Sequence, residues 1–261
     1  LDFMPLKFAA TLASTLSGIP GGFFAPTLSI GAGLGDIIAN LLHVHAPNPS
    51  GDLAILRAPS STPTVMTWHS DIVRQRLLMH AYGRFQQRAL ARVDRVLVFT
   101  PAHYASSEQL HISDLSRKVV HVPIGIDFDR LDEPGRDAAL LARIDLFAKD
   151  RPVLLTVGRH VYYKGYNHLL GALARASADA VLVMVGAGPL TGLLQRQVRE
   201  LGLSRRVLML GEVSGETLVT ALHRCDVFCL PSIARSEAFG IATAEAMACG
   251  KPAVVCELGN G

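Results

Sequence analysis

The chain has 261 residues, of which 49% are hydrophobic and 18% charged, and its formal net charge is +3. That length holds one large domain or two small ones, each able to bury a core. So small a positive charge leaves no electrostatic footprint for nucleic acid and excludes that partner class, while local basic clusters can still meet a membrane surface.

The first 42 residues read unlike the rest. The run from Phe8 to Gly35 carries no charge and is long enough to cross a bilayer, but Gly18, Pro20, Gly21, Gly22 and Pro26 break any single helix there. A broken apolar helix at membrane depth is tolerated only inside a larger membrane protein. The segment Ser17-Gly18-Ile19-Pro20-Gly21-Gly22-Phe23-Phe24-Ala25-Pro26, with Leu28 to Gly35 after it, resembles the Gly-x-Phe-x-Pro anion-filter region of the CLC chloride channels and transporters. In that family the Phe24 and Ala25 region would offer backbone N–H groups to chloride. A pore needs many more segments, so an anion channel is set aside. A signal peptide suits Lys7 and the apolar core but not the Pro/Gly cluster. The expectation is an in-frame join of two unrelated gene fragments, and the opening Leu1 in place of Met agrees with a fragment.

From Leu41 the pattern becomes alternating strands and helices. A strand is predicted over Leu41 to Ala46, then the turn Pro47-Asn48-Pro49-Ser50, a short helix through Arg57, and a strand over Thr64 to Trp68. A long helix is expected from about Ile72 to Arg92, with strands at Arg95 to Thr100 and Val119 to Val122. In the second half, strands are expected at Val153 to Val157, Ala180 to Val185, Val207 to Leu210, Val227 to Leu230 and Ala253 to Cys256. Such alternation predicts parallel sheets covered on both faces, doubly wound in the second half. Charged residues and a Pro-Gly pair accumulate between Asp127 and Asp150, where the join is placed. The expected domains are a membrane-type fragment over 1–40, a partial Rossmann-like lobe over 41–149 and a second Rossmann-like lobe over 150–261, with no sequence repeat detectable between the lobes.

Of the four cysteines, Cys225, Cys229, Cys249 and Cys256, three sit in or beside apolar, strand-like runs or a small-residue helix, and buried free thiols are the reading. Cys-x3-Cys has no second ligand pair at zinc spacing, and a reducing cytoplasm fits best.

Several groups carry candidate chemistry. His69, in Trp68-His69-Ser70-Asp71, stands at the carboxyl end of a strand, where open sheets place ligands. His43 and His45 flank Val44 and share a strand face. Arg76, His80, Arg84, Arg88 and Arg92 recur every four residues along the long helix, with Arg74 and Arg95 nearby, either as a solvated face or as a seat for anionic lipid. Asp127-Phe128-Asp129 has a metal-binding form but is assigned no metal. Thr156 to Gly165 closes a strand and opens a helix, and Arg159 and Lys164 within it suit a departing diphosphate, on whose oxygens charge develops. Gly186-Ala187-Gly188-Pro189 invites a dinucleotide reading, but Thr191 stands where the third glycine belongs, so a plain turn with Pro189 in the first helical turn is preferred.

Glu237 and Glu245, with seven residues between them, straddle a helix start expected at Gly240. Glu245 would then lie about 7–8 Å along the axis from that start. N–H groups of Phe239, Gly240 and Ile241 would face an anion, with a carboxylate on either side for sugar hydroxyls. A hydrolase acid–base pair is disfavoured, because neighbouring Arg159 and Lys164 argue against either Glu as a proton donor.

Taken in order, Gly158-Arg159, Lys164-Gly165, Gly186-Ala187-Gly188-Pro189, the Glu-seven-Glu element and Gly250-Lys251-Pro252 resemble the donor half of glycosyltransferase family four, of the GT-B fold. The segment Val122-Pro123-Ile124-Gly125-Ile126 is similar to that family's interlobe turn. The resemblance implies two Rossmann-like lobes and retaining transfer of a sugar from a nucleotide-sugar to an acceptor hydroxyl in cell-surface polysaccharide or glycolipid synthesis. It implies that Arg159 and Lys164 bind the diphosphate, Glu237 faces the donor sugar, Glu245 holds the ribose hydroxyls, and His69 serves the sugar from the acceptor lobe. Gly158, Gly188, Phe239, Gly240 and Ile241 complete the expected donor site. No metal or cofactor is expected, the acceptor would be a glycan or lipid-linked, and the setting would be cytoplasmic with peripheral attachment at the inner face of the membrane. The acceptor lobe departs from the family in lacking its opening strands and early Gly-rich turn, and the donor lobe in lacking closing helices. The competing reading is therefore a non-catalytic fragment that retains at most nucleotide binding.

Overall fold

The computed structural model describes residues 41–72, 76–112, 115–135, 137–176, 179–234, 237 and 240–258, without the side chains of 76–81 and 112. The apolar fragment over 1–40 and the last three residues lie outside these. Among the described residues no helix is long and apolar enough to cross a membrane. The chain divides into two units, residues 1–123 and 124–259.

In the first unit, β1 (Leu42–Ala46), β2 (Thr64–Trp68), β3 (Arg95–Val98) and β4 (Val119–His121) form a parallel sheet in the order β1-β2-β3-β4. Period-two alternation sends Val44, Ala46, Met66, Trp68, Val96 and Val98 into one core. There they meet Ile55 from α1 (Pro49–Arg57) and Ala89 and Leu90 from α2 (Arg76–Arg92). Helix α1 starts where expected because Pro49 fits its first turn and the Asn48 side chain accepts from the N–H groups of Ser50 and Gly51. Sequence reading passed over α3 (Pro101–Ser106), although Thr100 caps it by accepting from His103 N and Pro101 sits in its first turn.

The second unit holds β5 (Val153–Val157), β6 (Val181–Val185), β7 (Val207–Gly211), β8 (Val227–Leu230) and β9 (Ala253–Val255), all parallel, in the order β7-β6-β5-β8-β9. Strand β6 is buried on both faces, which is why it reads as an unbroken apolar run. One face packs on α6 (Tyr166–Arg175) and α7 (Thr191–Glu200) through Leu182, Met184, Leu170 and Leu194. The other buries Leu155, Val183 and Phe228 with Ile144, Leu222 and Ala246, from α5 (Ala138–Ala148), α8 (Gly215–Arg224) and α9 (Ile241–Ala248). Chain order reverses at β5, so the crevice between the carboxyl ends of β5 and β8 is the switch point at which such sheets bind ligands. Strand β9 is paired on one side only among the described residues, and its own Val254 and Val255 are exposed, as is Met247 of α9.

The division after Pro123 falls earlier than the expected boundary at 149/150. The reason is packing: Leu131 of α4 (Asp129–Asp132) and Leu140 and Ile144 of α5 are buried in the same core as Val153 and Leu155. Charge density in that segment marked its solvent face, not a boundary.

Both units use one strap that the sequence reading missed. Asp94 accepts from Thr64 N at 2.7 Å and Thr64 Oγ1 at 2.9 Å, joining the starts of β2 and β3. Asp226 accepts from Val153 N at 2.7 Å and joins β5 to β8 in the same way.

Gly171 lies inside α6, and a Cβ there would meet nothing nearer than Arg175 Nη1 at 3.6 Å. Gly171→Ala is expected to stabilise the protein by about 0.5–1 kcal/mol, because Ala gives up less backbone freedom in a helix. A melting temperature that falls in differential scanning calorimetry would contradict this account of α6.

Candidate functional site

Loops at the carboxyl ends of β5, β6 and β8 close on one another through their backbones. Gly158 N donates to Val185 O at 3.0 Å, His160 N to Ala187 O at 2.9 Å and Leu190 N to His160 O at 3.0 Å. Gly186 has φ +119°, and a Cβ on it would sit 2.2 Å from Gly158 O, so only glycine permits this approach. Thr191, which spoils the dinucleotide pattern, pins the turn instead, since its hydroxyl accepts from Gly188 N at 2.9 Å and lies 2.9 Å from His160 Nδ1. On the other side of β5, Ile233 N donates to Tyr163 O at 2.8 Å. A Cβ on Gly165, whose φ is +66°, would sit 2.0 Å from Pro231 O.

This closure brings Lys164 to Glu237. The Nζ to Oε2 distance is 2.6 Å, with the side chains only 12% and 14% exposed. Ser232 Oγ donates to the same carboxylate oxygen at 2.9 Å. Tyr163 stands beside the pair. Burial pushes its phenol pKa up, the Glu237 charge adds to that rise, and Arg159 opposes it. Arg159 itself is exposed and makes no ion pair among the described residues. Sequence reading did not single out Ser232 or Tyr163. Their only signal was adjacency to Lys164 and to the end of β8.

Helix α9 begins after Gly240, a position with no side chain to cap its first N–H groups, and among the described residues no cap side chain accepts from them. Glu245 lies one turn in and is paired with Arg130 Nη2 at 2.6 Å, an arginine on α4 that the sequence reading passed over. Thus the structure joins Lys164 to Glu237 but gives Glu245 a different cation. Phe239 lies outside the described residues. A cavity of about 310 Å³ beside these loops is lined by Val161, Tyr162, Tyr166, Leu190, Leu194 and Ile233, and by none of Arg159, Lys164, Glu237 or Glu245.

Among the described residues no three His, Cys, Asp or Glu side chains are grouped as a metal site. Asp127, of the Asp-x-Asp sequence, accepts from Arg130 N at 3.2 Å in a local turn. Cys225 and Cys229 are buried as expected, and burial pushes their thiols up to about 12 and about 11; Cys249 is half-buried and Cys256 exposed.

In the first unit, His69 follows β2. Asp71 holds its loop, accepting from Trp68 Nε1 at 3.0 Å, Ser107 Oγ at 2.6 Å and Glu108 N at 2.9 Å. His45 Nδ1 lies 2.7 Å from His69 Nε2, and His43 Nε2 lies 2.7 Å from Thr67 Oγ1. The shared strand face expected for His43 and His45 is observed, with their rings 4.8 Å apart. His69 keeps an exposed edge, yet burial of the rest of its ring, then the charges of His45, His103 and His43, push its pKa down to about 4. On α2, Arg84 and Arg88 are exposed, whereas Arg92 donates to Pro59 O at 2.9 Å. Arg74 and the side chains of Arg76 and His80 lie outside what is described.

Two α/β units with parallel sheets, one with a switch-point crevice that collects a lysine–carboxylate pair, make a GT-B-like α/β fold. Residues 140–261 match the family model described as Glycosyl transferases group 1. The D-rhamnosyltransferase WbpZ of Pseudomonas aeruginosa is 36% identical over 223 residues, covering 85% of this chain and 56% of the relative. The O-antigen chain mannosyltransferase C of Escherichia coli is 34% identical over 222 residues, covering 85% and 57%. The chain therefore spans a little over half the length of these curated relatives. The crystal structure of Anabaena HepE with UDP and glucose superposes with a TM-score of 0.71 at 21% identity, covering 92% of this chain and 65% of the other. The likeness to group 1 glycosyltransferases read from the motifs is borne out. So is the CLC likeness, since residues 1–65 match the family model described as Voltage gated chloride channel. That match runs into β1 and α1, which the structure builds into the first α/β unit and which a WbpZ match covering 85% of the chain must include.

His69 is held neutral in the fold, and its ordinary pKa in the unfolded chain is 6.5. Unfolding then takes up a proton below that value, so the stability tied to this ring is complete above pH 6.5 and lost as pH falls towards 4. Wild-type protein should lose more melting temperature over that interval than His69→Asn. Parallel pH profiles for the two would contradict the depressed pKa.

Proposed function

We propose that this chain carries the donor half of a retaining glycosyltransferase, which moves a sugar from a nucleotide-sugar to an acceptor hydroxyl in building a cell-surface polysaccharide or glycolipid. The observation that carries this reading is the Lys164–Glu237 contact at the β5/β8 switch point of a group 1 glycosyl transferase domain. In the proposed reaction the bond from the sugar's anomeric carbon to the diphosphate oxygen breaks. A bond to the acceptor oxygen forms on the same face, and the acceptor's proton passes to the departing diphosphate. Arg159 and Lys164 offset the charge that develops there, and the open start of α9 adds its partial positive charge. Glu237 faces the sugar and Glu245 takes the ribose hydroxyls. With those cations supplying the charge, the scheme calls for no metal or cofactor.

The relatives support a donor sugar of the manno configuration, because one is a D-rhamnosyltransferase, D-rhamnose being 6-deoxymannose, and another a mannosyltransferase. A third match, from Mycolicibacterium smegmatis, is named as GDP-mannose-dependent. GDP-mannose is therefore expected to raise the melting temperature more than UDP-glucose does, and Lys164→Met to abolish the shift. Transfer should fall by roughly 10²–10³-fold in that variant, the usual cost of losing one group that stabilises developing charge. No shift with any nucleotide-sugar in wild type would end the reading, and a shift without transfer would reduce it to nucleotide binding.

We further propose a cytoplasmic protein whose α2 face rests on anionic lipid at the inner surface of the membrane, where a lipid-linked acceptor would be found. The exposed Arg84 and Arg88 support this, each basic group near such a surface contributing about 1 kcal/mol. Arg84→Glu with Arg88→Glu should reduce co-sedimentation with phosphatidylglycerol vesicles. Undiminished binding would remove the idea.

A further inference from the structure

Glu245 stands on α9, whose start rests on the end of β8, since a Cβ on Gly240 would lie 3.1 Å from Leu230 Cδ2. One turn further along, Cys249 shares its helix face, and both residues meet α4. That short segment is fixed through its backbone. Leu131 is buried, its carbonyl oxygen lies 2.8 Å from His223 Nε2 of α8 and 3.8 Å from Cys249 Sγ, and Asp127 accepts from Arg130 N at 3.2 Å. From this anchored main chain Arg130 Nη2 reaches Glu245 Oε1 at 2.6 Å.

The bond runs from one nitrogen to one oxygen, not as the two-toothed grip that a guanidinium can take on a carboxylate. That leaves Oε2 for a second donor. The glutamate side chain is 13% exposed and the arginine side chain 44%, and a pair so open on one side adds little to the stability of the fold. What it does is fix a carboxylate on a rotatable stem, which would otherwise lose that freedom on meeting a ligand.

We infer that Arg130 is a positioning residue for nucleotide binding, which holds Glu245 by Oε1 and turns Oε2 towards the adjacent hydroxyls of the ribose. This rests on the nucleotide-sugar reading, in which Glu245 takes those hydroxyls, and adds the group that orients it. Arg130 acts through Glu245 alone. Its orienting effect is therefore confined to ligands that carry the two hydroxyls, because a furanose without them has nothing to donate to Oε2.

Isothermal titration calorimetry of the full chain with GDP and 2′,3′-dideoxy-GDP, repeated with the uridine pair, tests this. Wild type should bind the ribose form of its preferred nucleotide at least about tenfold more tightly than the dideoxy form, as expected for hydroxyls bonded to a charged acceptor. Arg130→Met should cut that preference several-fold. Loss of a positive charge weakens both diphosphates alike, so the ratio of the two affinities is the readout. Arg130→Lys keeps the charge but replaces a planar fork with a compact ammonium on a flexible stem. It should show an intermediate preference and bind the dideoxy form as wild type does. In the Glu245→Gln background Arg130→Met should not lower the ratio further, since no carboxylate is left to orient. An unchanged ratio in Arg130→Met overturns the proposal, as does a further fall in the Glu245→Gln background. If Arg130→Met does not fold, Arg130→Lys decides, and a wild-type ratio there overturns it. Wild type that binds the ribose and dideoxy forms equally also overturns it while leaving the nucleotide-sugar reading in place. Wild type that binds neither sinks both.

Discussion

Three loops leaving the carboxyl ends of β5, β6 and β8 can meet only because backbone touches backbone at Gly186 and Gly165. A side chain at either position would overlap a carbonyl oxygen, of Gly158 in one case and Pro231 in the other. The contact between the 159–165 and 231–234 loops carries Lys164 to Glu237, and the contact between the 158–160 and 186–191 loops locks the Gly188 turn against His160. Hydrogen bonds between the loops satisfy backbone groups that would otherwise need water at a half-buried rim. The candidate site is thus a by-product of sheet closure: a cation and an anion brought together by glycine contacts beneath them.

The two units solve the same mechanical problem alike. In each, an aspartate just before a strand turns back to accept from the first residue of its neighbour, Asp94 for Thr64 and Asp226 for Val153. An N–H at a strand start has no ladder partner, and a carboxylate is a strong acceptor for it. What surrounds the sheets then differs. The first unit gathers imidazoles, with His45, His69 and His43 along one face, and lowers the affinity of His69 and His43 for protons. The second gathers fixed charges and leaves Arg159 exposed at the mouth of its crevice.

Arg130 and Glu245 show how a site residue can escape a linear reading. They are 115 positions apart, and Arg130 sits in a segment whose acidic neighbours suggested a linker. Leu131, Leu140 and Ile144 bury one side of that segment in the second unit's core, which turns Arg130 towards α9. The same packing moved the division between the units upstream of the charge-rich stretch.

The amino-acid order alone determined the nine strands β1 to β9 and the helices α1 and α2, though not α3 or the helices of the charge-rich stretch, because period-two and unbroken apolar runs bounded by Gly, Pro and Asn leave little local choice. It also determined the family likeness, since Gly158-Arg159, Lys164-Gly165 and the paired glutamates stand at spacings that survive without any fold in hand. Tertiary structure decided which charges meet. Lys164 found Glu237 and Ser232, Glu245 found Arg130, and Asp71 gathered Trp68, Ser107 and Glu108, because those partners lie on separate strands and loops whose approach is set by sheet order and backbone contact. Pattern along a chain reports the face on which a residue stands, and only the packed sheet specifies what stands opposite.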